Sequence, residues 1–184
     1  MEKMKIMDEK LYKTGFIVAE MKKCENWIYN AWPLKDLIND REAISITQEA
    51  EDKWFTKYDM LEIIPDLEYI KKYKECCDNL KIDTKILLIE SPYEYINVNK
   101  EIEINEVLGY DCLGTINYSY LYTDFKYYEN ELKSKNVKLN KVGLFNKYED
   151  VLNFIELRRK DINSGLNIEN YWKEIPIKIS IVNS

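Results

Sequence analysis

Glu101 and Glu103 stand two residues apart in a run that alternates acid with isoleucine, Glu101 to Ile104. On an extended strand that spacing puts both carboxylates on one face, with Cα atoms roughly 6.6 Å apart. Two carboxylates held so close are the material of an acid/base pair, as in glycoside hydrolysis, and with Asp111 they offer oxygen ligands to a divalent cation. The surroundings favour neither chemistry. There is no calcium-loop spacing, and nothing else in the run resembles a glycosidase site. A solvated strand face is the plainer reading. The chain also contains no histidine, which removes Ser-His and Cys-His nucleophile pairs and most zinc sites at once. Carboxylates, Lys, Tyr and Cys remain available for catalysis, but no catalytic residue, cofactor or metal is assigned.

The same acids suit binding better than turnover. From Ile86 to Asp111 the chain carries Glu90, Glu94, Glu101, Glu103, Glu106 and Asp111 against one base, Lys100. Tyr93, Tyr95 and Tyr110 lie among them. Tyrosine supplies large contact area at low entropy cost, and acids complement Lys and Arg and speed encounter. The candidate partner-binding set is therefore Glu101, Glu103, Glu106, Tyr110 and Asp111, with Tyr93 and Tyr95 in support. The expectation is that these acids gather into one outward patch for a basic protein surface, such as that of a nuclease. The alternative is a solvated strand and loop with tyrosines half-buried for packing.

Other motifs carry less. Gly109 and Gly114 bracket Asp111 but match neither a dinucleotide fingerprint nor a phosphate loop; they predict a turn or bulge. Residues 126–160 hold nine Lys or Arg against five acids. Arg158, Arg159 and Lys160 could touch phosphates, yet bases at a helix C-terminus complement its dipole anyway. Cys24, Cys76, Cys77 and Cys112 include no C-x-x-C pair and read as reduced thiols. Asp111 beside Cys112 disfavours a thiolate there. Trp27, Trp32, Trp54 and Trp172 are scattered and read as core or core-edge residues, with Trp27 and Trp32 the alternative interface anchors. Asn117-Tyr118-Ser119 matches a glycosylation acceptor without any sign of secretion.

With 184 residues, a net charge of −6 and a mean hydropathy of −0.48, the chain fits one soluble domain. Residues 1–60 form a candidate, partly separate N-terminal helical element. An acidic protein is repelled by nucleic acid and anionic lipid, so neither is an expected partner. Met1 to Lys10 lack an apolar stretch and no run approaches a membrane span; a cytoplasmic location is expected, and the oligomeric state stays open.

The elements that must position these residues are mixed. Phe16 to Ala19 is a buried strand or a helix start. Two helical pieces meet near Pro33, and Ala43 to Thr47 alternates as a strand. Trp54 to Ile64 is ambiguous. Pro65, with Asp66 and Glu68 in the first turn, predicts a helix to about Asn79 that buries Ile70, Tyr73, Cys77 and Leu80. Ile86 to Ile89 reads as a central strand covered on both faces, and Glu101 to Ile104 as a half-exposed strand. Ile116 to Tyr122 is a strand with one tyrosine face or a short helix. A helix is expected over Lys126 to Ser134. Asn146 with Glu149 predicts a capping box for a helix through Arg159, with Gly165 just past its end. Ile175 to Val182 alternates as a strand with one buried face, and Pro176 favours an edge or a strand start. The expected fold is α+β: a small, mostly antiparallel sheet with helices packed on one face.

Glu106-Val-Leu-Gly-Tyr-Asp111, then Tyr118-Ser-Tyr-Leu-Tyr122, then Leu139-Asn-Lys-Val-Gly-Leu-Phe145 leading into the helix, together resemble a pattern of small bacterial immunity proteins encoded beside toxins. The resemblance covers about the C-terminal 80 residues. It implies a non-enzymatic protein that binds and occludes a cognate toxin, and it supplies no catalytic residues. Two other classes remain open: a scaffold that self-associates through its aromatic surface, and an enzyme using carboxylates and a cation.

Overall fold

The computed structural model describes residues 10–20, 63–79, 81–92, 98, 101–113, 119–163 and 174–183. The helical pieces around Pro33, the strand at Ala43 to Thr47, Gly114, Gly165, Cys24 and the four tryptophans lie outside them. In chain order the elements are β1 (Tyr12–Glu20), α1 (Leu67–Asn79), β2 (Thr84–Ser91), β3 (Ile104–Leu113), α2 (Tyr120–Ser134), α3 (Tyr148–Asn163) and β4 (Ile175–Val182). The four strands form one antiparallel sheet in the order β1-β2-β4-β3. The α+β class and the antiparallel sheet are those expected. β1 falls within the candidate helical region 1–60 and is a strand of this sheet.

The helices divide between the two faces of the sheet, rather than sharing one. The cause is β2, which is apolar at consecutive positions, so neither face can be left to water. Ile86 and Leu88 pack with Phe16, Val18, Ile70, Tyr73 and Cys77, under α1. Leu87 and Ile89 point the other way, into a larger core with Ile177, Ile179, Leu132, Val151 and Phe154, under α2 and α3. Each of these side chains contributes about 1.5–3 kcal/mol through burial.

Local signals set most helix ends. Asp66 caps α1: its Oδ1 accepts the N–H groups of Glu68 (3.0 Å) and Tyr69 (3.2 Å), so Pro65 lies just before the cap. α1 closes with Lys81 in the left-handed region (φ 60°) and bonds from Ile82 N to Cys77 O and Lys81 N to Asp78 O. α2 closes the same way around Asn136, both being Schellman motifs. α2 starts at Tyr120, so the aromatic stretch resolves as helix from that point. α3 starts at Tyr148 rather than directly after Asn146, because Phe145 is tied to β3 and two residues are needed to turn the chain.

β4 is an interior strand with no exposed residue, not an edge. Pro176 is tolerated because β2 pairs only with Lys178 to Ile181, short of the proline. β3 begins at Ile104, the last residue of the acid-isoleucine run, so Glu101 to Glu103 lie before the strand, and its first four residues are all exposed.

The two edges are closed by short backbone clasps. At β1, Phe16 and Ile64 exchange N–H···O bonds of 2.8 and 2.9 Å. At β3, Tyr110 and Phe145 exchange bonds of 2.9 and 3.0 Å. Asn140 shapes the second clasp. Its Nδ2 donates to Leu108 O (2.8 Å), while its Oδ1 accepts from Val142 N (3.0 Å) and Leu144 N (3.1 Å). Gly109 admits this loop at a bulge between Val107 and Gly109. It has φ 143°, and a Cβ there would lie 2.5 Å from Phe145 O and 2.9 Å from Leu144 Cβ. The expected bulge is therefore present, with close backbone approach as its reason. Replacing Gly109 with Ala combines backbone strain with overpacking, and we expect a loss of about 3 kcal/mol, read as a lowered urea midpoint at unchanged m-value.

Candidate functional site

The first half of β3 and its approach hold three of the seven expected binding residues at the surface. Glu101, Glu103 and Glu106 are exposed, as are Ile104, Asn105 and Val107 between and beside them. Val107 is 50% exposed and Ile104 37%, which makes them two of the three exposed large apolar residues among those described. Beside them a cleft of about 360 Å³ opens between residues 106–109 and the loop bearing Asn140, Lys141, Val142 and Asn146. Glu106 and Lys141 face each other there at 4.0 Å, both largely in water. The contact is loose and contributes little.

The remaining expected residues are placed differently. Tyr110 is half-buried: its backbone is bound to Phe145 and its ring meets Tyr148 edge-on at 6.0 Å. Asp111 is fully buried, which corrects the expectation that it faces a partner. Its Oδ1 accepts the Cys112 N–H (2.6 Å) and the Ser119 hydroxyl (2.9 Å). Those bonds fasten the end of β3 to the start of α2, and a carboxylate so used is not available outside. Glu90 is also drawn inward, 9% exposed, with its carboxylate 2.7 Å from Lys178, its cross-strand neighbour. Tyr93, Tyr95 and Glu94 lie outside the described residues. Among the described residues the acids of this region thus do not all face outward; those exposed are Glu101, Glu103 and Glu106.

Sequence reasoning missed the apolar half of the surface. The signal was available in Val107-Leu108-Gly109, where two adjacent apolar residues before a glycine break the alternation of a strand and mark a bulge. Lys141, Asn140 and Asn146 gave no such signal, since only the fold brings their loop against β3.

The basic triplet is engaged in ion pairs. Arg158, 3% exposed, donates from Nε to Asp124 Oδ2 (2.8 Å) and from Nη1 to Glu174 Oε1 (2.9 Å). Arg159 Nε donates to Glu174 Oε2 (2.7 Å), and Lys160 pairs with Glu156 at 2.9 Å. Glu174, just before β4, bridges two arginines of α3 and anchors the helix to the sheet. Among the described residues no three His, Cys, Asp or Glu side chains stand close enough to hold a metal ion. Among the described residues, the cleft beside β3 is lined by one carboxylate, Glu106, and by neither Glu101 nor Glu103. No helix among those described is long and apolar enough to cross a membrane.

Cys76, Cys77 and Cys112 are buried and unbridged. Burial pushes the Cys77 thiol up to about 11, and the neighbouring Cys76 adds to the shift. Burial, then the Asp111 charge, pushes the Cys112 thiol well up as well. Neither is a nucleophile in the folded chain.

No family model, curated protein or solved structure matches the chain. The arrangement at β3 must therefore be read from its own chemistry.

Two outcomes follow from this geometry. Replacing Glu174 with Ala removes one of the ion-pair partners of buried Arg158, with Asp124 remaining at 2.8 Å, and should lower unfolding free energy by about 3 kcal/mol in a urea titration. In a Cys24→Ser chain at pH 8, iodoacetamide should leave the remaining thiols unmodified until denaturant is added. Unfolded thiols ionise near 9.0 while folded Cys77 keeps its proton to about 11. The folded state therefore binds more protons in that window, and stability, complete below pH 9, should fall as pH rises towards 11.

Proposed function

We propose that this protein binds a basic surface of another protein and neutralises it by occlusion, in the manner of a toxin-immunity protein. The observation that carries the reading is the strip Glu101 to Val107, where three exposed carboxylates flank exposed Ile104 and Val107 at the edge of a sheet. Apolar side chains that lose water on docking supply affinity. Carboxylates around them steer a cationic partner and reject an anionic one. The overall charge of −6 adds to that steering. A stable interface takes about 800 Å² from each partner, so the strip is a centre with further residues around it. The toxin-directed part of the proposal rests on the resemblance carried by Glu106 to Asp111, Tyr118 to Tyr122 and Leu139 to Phe145. The first and third of these stretches meet in space, where the loop 139–145 clasps β3.

The product of the adjacent gene is the partner to test. Its binding should weaken roughly tenfold or more in a Glu101→Lys, Glu103→Lys, Glu106→Lys triple variant, and again on raising salt, because each exposed pair contributes a few tenths to 1 kcal/mol. The melting temperature of the variant should be little changed, since all three side chains are exposed. Binding indifferent to both changes removes the electrostatic mechanism.

A further inference from the structure

The outer edge of β3 is covered over only part of its length. Tyr110 gives both backbone groups to Phe145, and Leu108 O is taken by Asn140 Nδ2. Towards the start of the strand the clasp ends. Over Ile104 to Val107 no described residue outside β4 bonds the backbone, and all four residues are exposed. A strand edge with free N–H and C=O groups is a template for another strand. About 13 Å of it lies open here at the rise of an extended chain, and its register against β4 shifts between Ile104 and Glu106.

The charges and the cleft decide what fits. Glu101, Glu103 and Glu106 surround this stretch, and the cleft beside Gly109 has the Glu106 carboxylate at its mouth. Lys141 already shows the pairing at 4.0 Å, but it is 84% exposed and weakly held. A long cationic side chain reaching in from outside can take its place, with its methylene stem against Val107 and Val142. A second copy of the chain is a poor occupant. Antiparallel pairing of two β3 edges sets Glu103 and Glu106 against the same acids of the other copy, and like charges facing across a ladder are unfavourable.

Resting on the reading of this strip as a binding surface, we infer that the partner contributes an extended segment of alternating basic and apolar residues, which adds to β3 as a strand along Ile104 to Val107 and places one Lys or Arg in the cleft at Glu106.

The test uses the whole chain, ¹⁵N-labelled, titrated at low ionic strength with the capped peptide Arg-Val-Lys-Val-Arg-Val. Two isomers accompany it, one N-methylated on the valines and one on the basic residues. Charge is the same in all three, but in an added strand only one of the two methylated sets faces the edge. The expected result is a shift of the amides of residues 104–107 with slowed hydrogen exchange there. One isomer should bind roughly tenfold more weakly while the other matches the parent. The exposed substitution Glu106→Gln should weaken the parent peptide. If both isomers bind as the parent does and Glu106→Gln still weakens it, the acidic binding surface stands and strand addition is overturned. If the peptide moves no amide between residues 101 and 107, both fall, and the acids only guard the edge against pairing. Protection of those amides that grows with protein concentration, without peptide, overturns the proposal in favour of self-pairing.

Discussion

Neighbouring residues of an extended chain point to opposite faces, and in β2 both sets are apolar. Leu87 and Ile89 therefore demand one cover and Ile86 and Leu88 another. Two interior strands, β2 and β4, carry this demand through the middle of the sheet, and the helices are placed to meet it. α1 closes one face over β1 and β2, while α2 and α3 close the other, with Phe145 and Phe154 in contact beneath them. With both faces covered by apolar packing, what remains for recognition is the edges.

Edges are managed with backbone rather than with further strands. At β1 and at β3 a glycine lets a flanking segment come within van der Waals distance, and one reciprocal pair of hydrogen bonds fixes it. At β3 the clasp has a side-chain organiser, Asn140, whose amide uses both its donor and its acceptor on backbone groups. The exposure of Ile104 to Val107 follows from where that clasp stops. The same loop that protects the second half of β3 builds one wall of the cleft beside the first half.

Charge inside the molecule is structural. Asp111 joins β3 to α2, Glu90 pairs across the sheet with Lys178, and Glu174 holds Arg158 and Arg159. Buried ions of this kind cost about as much in desolvation as they return in attraction, and their value lies in fixing one arrangement of elements. Among the described residues the acids between Ile86 and Asp111 thus split by location: Glu90 and Asp111 go in, each closely bonded to its partners, and Glu101, Glu103 and Glu106 stay out. In sequence the two groups look alike. Glu103 sits between two isoleucines and Asp111 between a tyrosine and a cysteine, and nothing in those neighbours tells which will be covered.

Local chemistry alone determined the start of α1 near Pro65, the central position of β2, the bulge at Gly109, the helical stripe of α3 and the α+β class, because each depends on hydrogen bonds or periodicities within a few residues. The start of α2 at Tyr120 and the interior place of β4 were not legible, since a tyrosine-rich or isoleucine-rich run suits helix, edge or core until its neighbours are known. Tertiary structure alone decided which carboxylates are exposed, that Val107 and Ile104 join them, and that Lys141 stands at Glu106. The physical reason is that exposure is set by whatever the chain brings from a distance, and a side chain carries no record of that in its own surroundings along the sequence.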